Sequence, residues 1–146
     1  MSSSNTSSRF LVLIYSTTLF LSAGLLFSVQ PMIGKMLLPR LGGTPAVWNT
    51  CLVFFQALLL LGYAYAHIST QKLRINRQAA VHLALLLLPL FLLPIVLRTA
   101  GRLDESSPAV LLIGMLLPTV GAPFLAVATS APLMQKWFSG TGHPAA

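Results

Sequence analysis

Four long apolar segments, separated by short polar or Gly/Pro-rich stretches, dominate the pattern of this chain. A helix needs about 20 mostly apolar residues to cross the hydrocarbon core of a bilayer. We therefore predict transmembrane helices at about 10–29, 46–68, 79–97 and 108–128. No segment alternates polar and apolar residues over about ten positions, which argues against a membrane β-barrel. The expected fold is all-α: a polytopic membrane protein whose residues 1–146 form a single membrane domain.

The first apolar segment, 10–29, also invites comparison with a secretory signal. Only Arg9 precedes it as a basic residue, and the apolar run exceeds the usual core of about 7–15 residues. We expect this helix to be retained.

The stretch between the first two helices, residues 30–45, is too apolar for a solvated loop. Pro31 and Pro39 interrupt regular backbone, because proline lacks the N–H that a helix needs. We expect an interfacial segment in which Lys35 and Arg40 extend towards lipid headgroups. The alternative places Lys35 in a cavity, as a contact for an anion or a substrate.

Composition supports the membrane interpretation. Hydrophobic residues make up 55% of the chain and charged residues 8%, whereas a soluble domain carries about 25% charged residues. We therefore do not expect a water-soluble enzyme. The nine basic and two acidic residues give a net charge of +7. Because the basic residues are thinly spread between apolar runs, we expect the bilayer as partner and no nucleic acid.

Basic residues in short loops indicate orientation, since the cytoplasmic side carries the excess. With four helices, one side receives five basic residues: Arg9, Lys72, Arg74, Arg77 and Lys136. The other side receives four: Lys35, Arg40, Arg98 and Arg102. We expect both termini in the cytoplasm.

The second predicted helix carries a polar stripe. Asn49, Gln56 and Tyr63 recur every seven residues, and His67 follows four residues later, so all four share one helix face. Polar groups within hydrocarbon need partners, which predicts that this face points into the bundle or a hydrated cavity. Interhelical hydrogen bonding is the simpler interpretation; a substrate or proton path through Gln56 is the alternative.

Proline and small residues predict local features of the other helices. Kinks or unwound turns are expected at Pro89, Pro94, Pro118 and Pro123. Small residues that share a face permit close helix packing. Two such sets are present: Thr17, Gly24 and Ser28, and Gly114, Gly121 and Ala128.

Catalytic machinery is not evident. The only acidic side chains, Asp104 and Glu105, are adjacent, so they cannot lie on opposite sides of a buried substrate as acid and base. His82 and His143 have no partner at ligand spacing, and Cys51 is the single cysteine. We therefore predict neither an enzyme nor a metal or cofactor site.

Several motifs resemble a known bacterial family. They are Gln30-Pro-Met-Ile-Gly-Lys35, Gly42-Gly43, Pro45-Ala-Val-Trp48-Asn49-Thr, Phe55-Gln56 and Gly121-Ala-Pro-Phe-Leu-Ala. Together they resemble the N-terminal membrane region of the fused major-facilitator/spermidine-synthase-like proteins. The resemblance implies a bacterial inner-membrane location and a transporter-like helical region. Within these 146 residues no glycine-rich nucleoside-binding loop or aminopropyl-transfer aspartate matches the synthase part of that family.

Three functional hypotheses follow. The first is a non-catalytic membrane subunit that packs against, and stabilises, a larger complex of membrane protein chains. The second is a transporter-like half module, or an N-terminal fragment of the fused protein, that moves a small molecule. The third is a membrane anchor for a separately encoded synthase-like enzyme, docked beside Lys72–Arg77.

Overall fold

The computed structural model describes residues 3–41, 44–92 and 108–142. Within these ranges the regular structure is entirely helical, as predicted. The α-helices are α1 (Ser3–Leu41), α2 (Pro45–Lys72), α3 (Ile75–Leu87), α4 (Pro108–Leu116) and α5 (Ala122–Ser139). A 3-10 turn, Leu88–Leu92, extends α3, and a π-helical turn, Leu117–Gly121, joins α4 to α5.

Three helical stretches among the described residues are long and apolar enough to cross a membrane: Arg9–Leu37, Pro45–Lys72 and Ala109–Ser139. This is typical of a membrane protein. Each is longer than the corresponding predicted span. The third predicted helix, 79–97, corresponds to the shorter apolar helix Ile75–Phe91, and its C-terminal part lies outside the described residues.

The predicted break after the first helix is wrong, because α1 continues through Pro31 and Pro39 to Leu41. A proline removes one backbone hydrogen bond, but uncoiling the turn would leave several polar groups unpaired beside apolar neighbours. Gly34 helps this extension to pack. A Cβ on Gly34 would lie 2.7 Å from the Cζ3 atom of Trp48 on α2.

Local chemistry explains where α2 begins and how it connects to α3. Thr44 has an extended backbone, and its hydroxyl accepts a hydrogen bond from the Val47 N–H at 3.4 Å. Pro45 follows in the first turn, where its missing N–H costs nothing. Leu73 and Arg74 are extended and separate α2 from α3, so this short turn makes the two helices antiparallel neighbours.

The prolines predicted to disturb the later helices do so in two places. Pro89 lies in the 3-10 turn after α3, and Pro118 lies in the π-helical turn. There the Thr119 hydroxyl donates to the carbonyls of Met115 and Leu116, at 2.7 and 3.2 Å. Pro123 fits the first turn of α5, while Pro94 lies outside the described residues.

An apolar core joins α1, α2, α4, the π-helical turn and the start of α5. Its fully buried members include Ile33, Phe55 and Leu116, and the Phe55 ring packs 4.8 Å from that of Phe124. At the middle of the bundle α2 and α5 approach closely. A Cβ on Gly62 would lie 3.0 Å from the Cβ of Ala128.

The helices meet in a consistent up-and-down arrangement. The ring of Tyr15, in the N-terminal third of α1, lies 5.1 Å from that of Phe138, near the end of α5. The end of α2 contacts the start of α3 through Gln78 and Ser69. One end of the bundle, here called the basic end, therefore carries five exposed basic residues: Arg9, Lys72, Arg74, Arg77 and Lys136.

Candidate functional site

A buried polar cluster links α2, α3 and α5 near the basic end. Gln78, the centre of this cluster, is 3% exposed. Its Nε2 donates to the hydroxyls of Ser69 and Thr70, both at 3.0 Å. Its Oε1 accepts from the Trp137 indole Nε1 at 2.8 Å. One amide side chain thus connects all three helices.

His82 lies one turn further along α3 and is also buried. Its Nδ1 lies 3.4 Å from the Thr129 hydroxyl, and its Nε2 lies 3.4 Å from the Ser130 hydroxyl. The imidazole meets the Trp137 ring edge-on, with 5.9 Å between the ring centroids. His82 is therefore enclosed by side chains of α5.

The number of protons available around His82 limits the hydrogen bonds that its ring can form. The hydroxyls of Thr129 and Ser130 both lie within hydrogen-bond distance of the Ala126 carbonyl, at 2.8 and 3.1 Å. A neutral imidazole has one N–H, which satisfies one hydroxyl oxygen. The other ring nitrogen accepts a hydrogen bond only if its hydroxyl turns its proton from the Ala126 carbonyl to the ring. These contacts position α3 on α5.

A groove of about 560 Å³ opens beside this cluster, between the C-terminal parts of α2 and α5. We call it the basic groove; its lining residues are Tyr63, Ala66, His67, Thr70, Gln71, Pro132 and Lys136. Thr70 belongs to both features, since it lines the groove and its hydroxyl accepts a hydrogen bond from Gln78. Within the groove Gln71 and His67 are hydrogen-bonded, with 2.9 Å between their Nε2 atoms.

The four residues of the predicted polar stripe are divided by the structure. Tyr63 and His67 lie together in the basic groove. Asn49 and Gln56 are exposed on the outer surface of α2, and neither side chain forms a hydrogen bond with another described residue. The described helices therefore do not enclose Asn49 and Gln56, the N-terminal half of the stripe.

The basic residues identified in the sequence lie in different parts of the structure. Lys72, Arg74 and Arg77 are exposed around the turn between α2 and α3. Lys35 is exposed on the extension of α1, at the end opposite to the basic end. The side chain of Arg40 lies outside the described residues.

Sequence reasoning missed the polar cluster. It noted His82 as a lone histidine and left Gln78, Thr129 and Ser130 aside. A signal was present: Gln78 and His82 are four residues apart and share a helix face, and Thr129-Ser130 lies within an apolar helix. Two polar sites on different helices at the same depth would have indicated a contact.

No group of three potential metal ligands occurs among residues 3–41, 44–92 and 108–142. Comparison with known proteins adds no further constraint on the site. No family model, curated protein or solved structure matches this chain.

Proposed function

We propose that this chain is a non-catalytic, multi-pass module of the bacterial inner membrane that packs against further membrane helices and stabilises the resulting complex. The observation that supports it is the position of Gln56. This amide lies near the middle of the apolar helix α2, is exposed, and has no hydrogen-bond partner among the described residues. In hydrocarbon such a group favours a protein neighbour, because lipid tails offer no hydrogen bonds.

The surface of α1 supports the same proposal. In its most apolar window, only 6% of the residues are buried, against 33% and 44% for the other two spans. Thr17, Gly24 and Ser28 are exposed on α1, and a Cβ on Gly24 would meet nothing within 4 Å. Small residues on an open helix face permit the close approach of another helix.

Purification in mild detergent followed by intact-complex mass spectrometry tests this proposal. We expect other membrane chains at fixed stoichiometry, and we expect Gln56→Leu to release them without changing the melting temperature of the chain itself. The same substitution at exposed Gln135 of α5 is the matched control. A wild-type chain that is recovered alone would contradict the proposal, as would equal effects of Gln56→Leu and Gln135→Leu.

A transporter-like module, either a half-transporter or the N-terminal part of a fused transporter/spermidine-synthase-like protein, is the second candidate. It is favoured by the π-helical turn Leu117–Gly121, which interrupts the third apolar span. Such turns and broken helices recur at functional sites of membrane proteins. This candidate predicts a homodimer in the same mass measurement, because alternating access usually needs two repeats.

For orientation, we propose four transmembrane helices with both termini in the cytoplasm. Five basic residues at one end of the bundle support this assignment, since cytoplasmic loops carry the excess of Lys and Arg. The described helices α2, α3 and α5 all present such residues there.

A further inference from the structure

The basic groove combines one cation with an apolar wall. Lys136 supplies an ammonium group, while Ala66 and Pro132 supply apolar surface. The only acidic side chains of the chain, Asp104 and Glu105, lie outside the described residues. Lys136 therefore has no carboxylate side chain beside it in the described part of the bundle, and its charge is available to an anion.

The other polar groups of the groove also favour an anion. The Gln71 Nε2 carries only hydrogens to donate, so the His67 Nε2, 2.9 Å away, is the acceptor of this pair. A neutral His67 then carries its proton on Nδ1 and has a donor to offer. Gln71 keeps a second amide hydrogen. Donors and a cation with no opposing carboxylate match an anionic oxygen group such as phosphate.

The position and size of the groove point to an amphiphile. It lies at the basic end of two apolar helices, where lipid headgroups meet a membrane protein. Its volume of about 560 Å³ is far larger than one anion requires and is typical of small-molecule sites. The buried polar cluster holds Thr70, which lines one wall of the groove.

We propose that the basic groove binds an anionic phospholipid. Lys136 pairs with the phosphate, Gln71 and His67 donate hydrogen bonds to it, and the first part of an acyl chain lies against Ala66 and Pro132. This inference is independent of the partner proposed for the Gln56 surface, since it involves the opposite part of the stripe and a lipid rather than a protein.

Lipid adducts on the full chain test the proposal. The purified protein is loaded with phosphatidylglycerol or with phosphatidylcholine, and the retained lipid is measured by native mass spectrometry. We expect preferential retention of phosphatidylglycerol and about fivefold weaker retention in Lys136→Gln, the effect of one basic residue near an anionic headgroup. Lys72→Gln, the same change at the same end but outside the groove, should leave retention unchanged.

Three results would overturn the proposal. An equal loss of phosphatidylglycerol retention in Lys136→Gln and Lys72→Gln would show that the lipid is held by diffuse charge attraction and not by a defined site. Equal retention of the two lipids would show that an anionic headgroup is not required. Competition by inorganic phosphate at equal phosphate concentration would assign the groove to a soluble phosphate compound. Both lysines are exposed, so unchanged melting temperatures in the absence of lipid serve as the folding control.

Discussion

Gly62 of α2 lies directly against Ala128 of α5: a Cβ on Gly62 would stand 3.0 Å from the Ala128 Cβ and 3.2 Å from its carbonyl carbon. Ala128 is fully buried at this crossing. Because the second of these atoms belongs to the backbone, it cannot rotate away as a long side chain does. The contact sets how closely the two parallel helices approach in the middle of the bundle.

Gly62→Ala should therefore lower stability. Separating the helices by a few tenths of an ångström loosens packing over the whole crossing, and overpacking of this kind costs about 1–3 kcal/mol. The measurement is the free energy of unfolding in mixed micelles. Gly24→Ala on α1 is the control, since its new Cβ meets nothing within 4 Å.

We expect Gly62→Ala to lower the free energy of unfolding and Gly24→Ala to raise it. At an open helical position, replacing Gly with Ala stabilises by about 0.4–1 kcal/mol through the entropy of the unfolded chain. Equal gains in Gly62→Ala and Gly24→Ala would contradict the close approach of α2 and α5.

The bond from Trp137 to Gln78 predicts energetic coupling between α3 and α5. Trp137→Phe removes the indole donor and leaves the Gln78 Oε1 without this partner, 2.8 Å away in the wild type. An unsatisfied buried acceptor costs about 1–3 kcal/mol. Gln78→Met removes the acceptor instead.

A double-mutant cycle measures this coupling. We expect the loss in the double variant to be smaller than the sum of the two single losses, by about 0.6–1.7 kcal/mol for a hydrogen bond inside a membrane protein. Strict additivity would mean that Trp137 and Gln78 are not hydrogen-bonded.

The π-helical turn predicts a special role for Thr119. Its buried hydroxyl donates to the backbone carbonyls of Met115 and Leu116, the last two residues of α4 before the π-helical turn. Thr119→Val keeps the shape but withdraws this donor, and we expect a loss of about 1 kcal/mol in unfolding free energy. Thr50→Val is the matched control, because that hydroxyl donates 2.9 Å to the Ala46 carbonyl on a regular, more exposed helix surface. A loss in Thr50→Val as large as that in Thr119→Val would refute the role of the turn.

The arrangement of the helix ends predicts which loops face the same solvent. In a Cys51→Ser background, single cysteines at exposed Asn76 and Thr141 should react with an impermeant maleimide from one side of the membrane. A cysteine at exposed Thr44 should react from the other side. Labelling of intact cells and of inverted vesicles measures this, and the proposed orientation requires Asn76→Cys and Thr141→Cys to react in inverted vesicles.

The same experiment can contradict the fold itself. Reaction of Thr44→Cys and Asn76→Cys from a common side would be incompatible with α2 as a single membrane crossing.

Some of this architecture was predictable because it depends on local physics. Helix is the default for long apolar runs, since their backbone groups must be paired internally, and Thr44-Pro45 is a start signal for α2. Pro118 likewise predicted an irregular turn. The extension of α1 through Pro31 was missed, because the cost of a break depends on neighbours such as Trp48 that the local sequence does not reveal.

The candidate sites show the same division. Helical periodicity predicts that Asn49, Gln56, Tyr63 and His67 share one face, but it does not say which of them line a groove with another helix. The position of α5 decides this, because its Pro132 and Lys136 line the basic groove together with Tyr63 and His67, whereas Gln56 lies outside that groove.

The sequence alone determined that this chain is helical, apolar and suited to a membrane, because hydrophobicity and hydrogen-bond pairing act residue by residue. Only the tertiary structure decided that Gln78 and His82 face Trp137, Thr129 and Ser130, which lie 47 to 59 residues away in the sequence. Such contacts depend on the rotation and depth of each helix, which are set by close approaches such as Gly62 on Ala128. The sequence of one helix does not determine how far a neighbouring helix is shifted along the bundle axis.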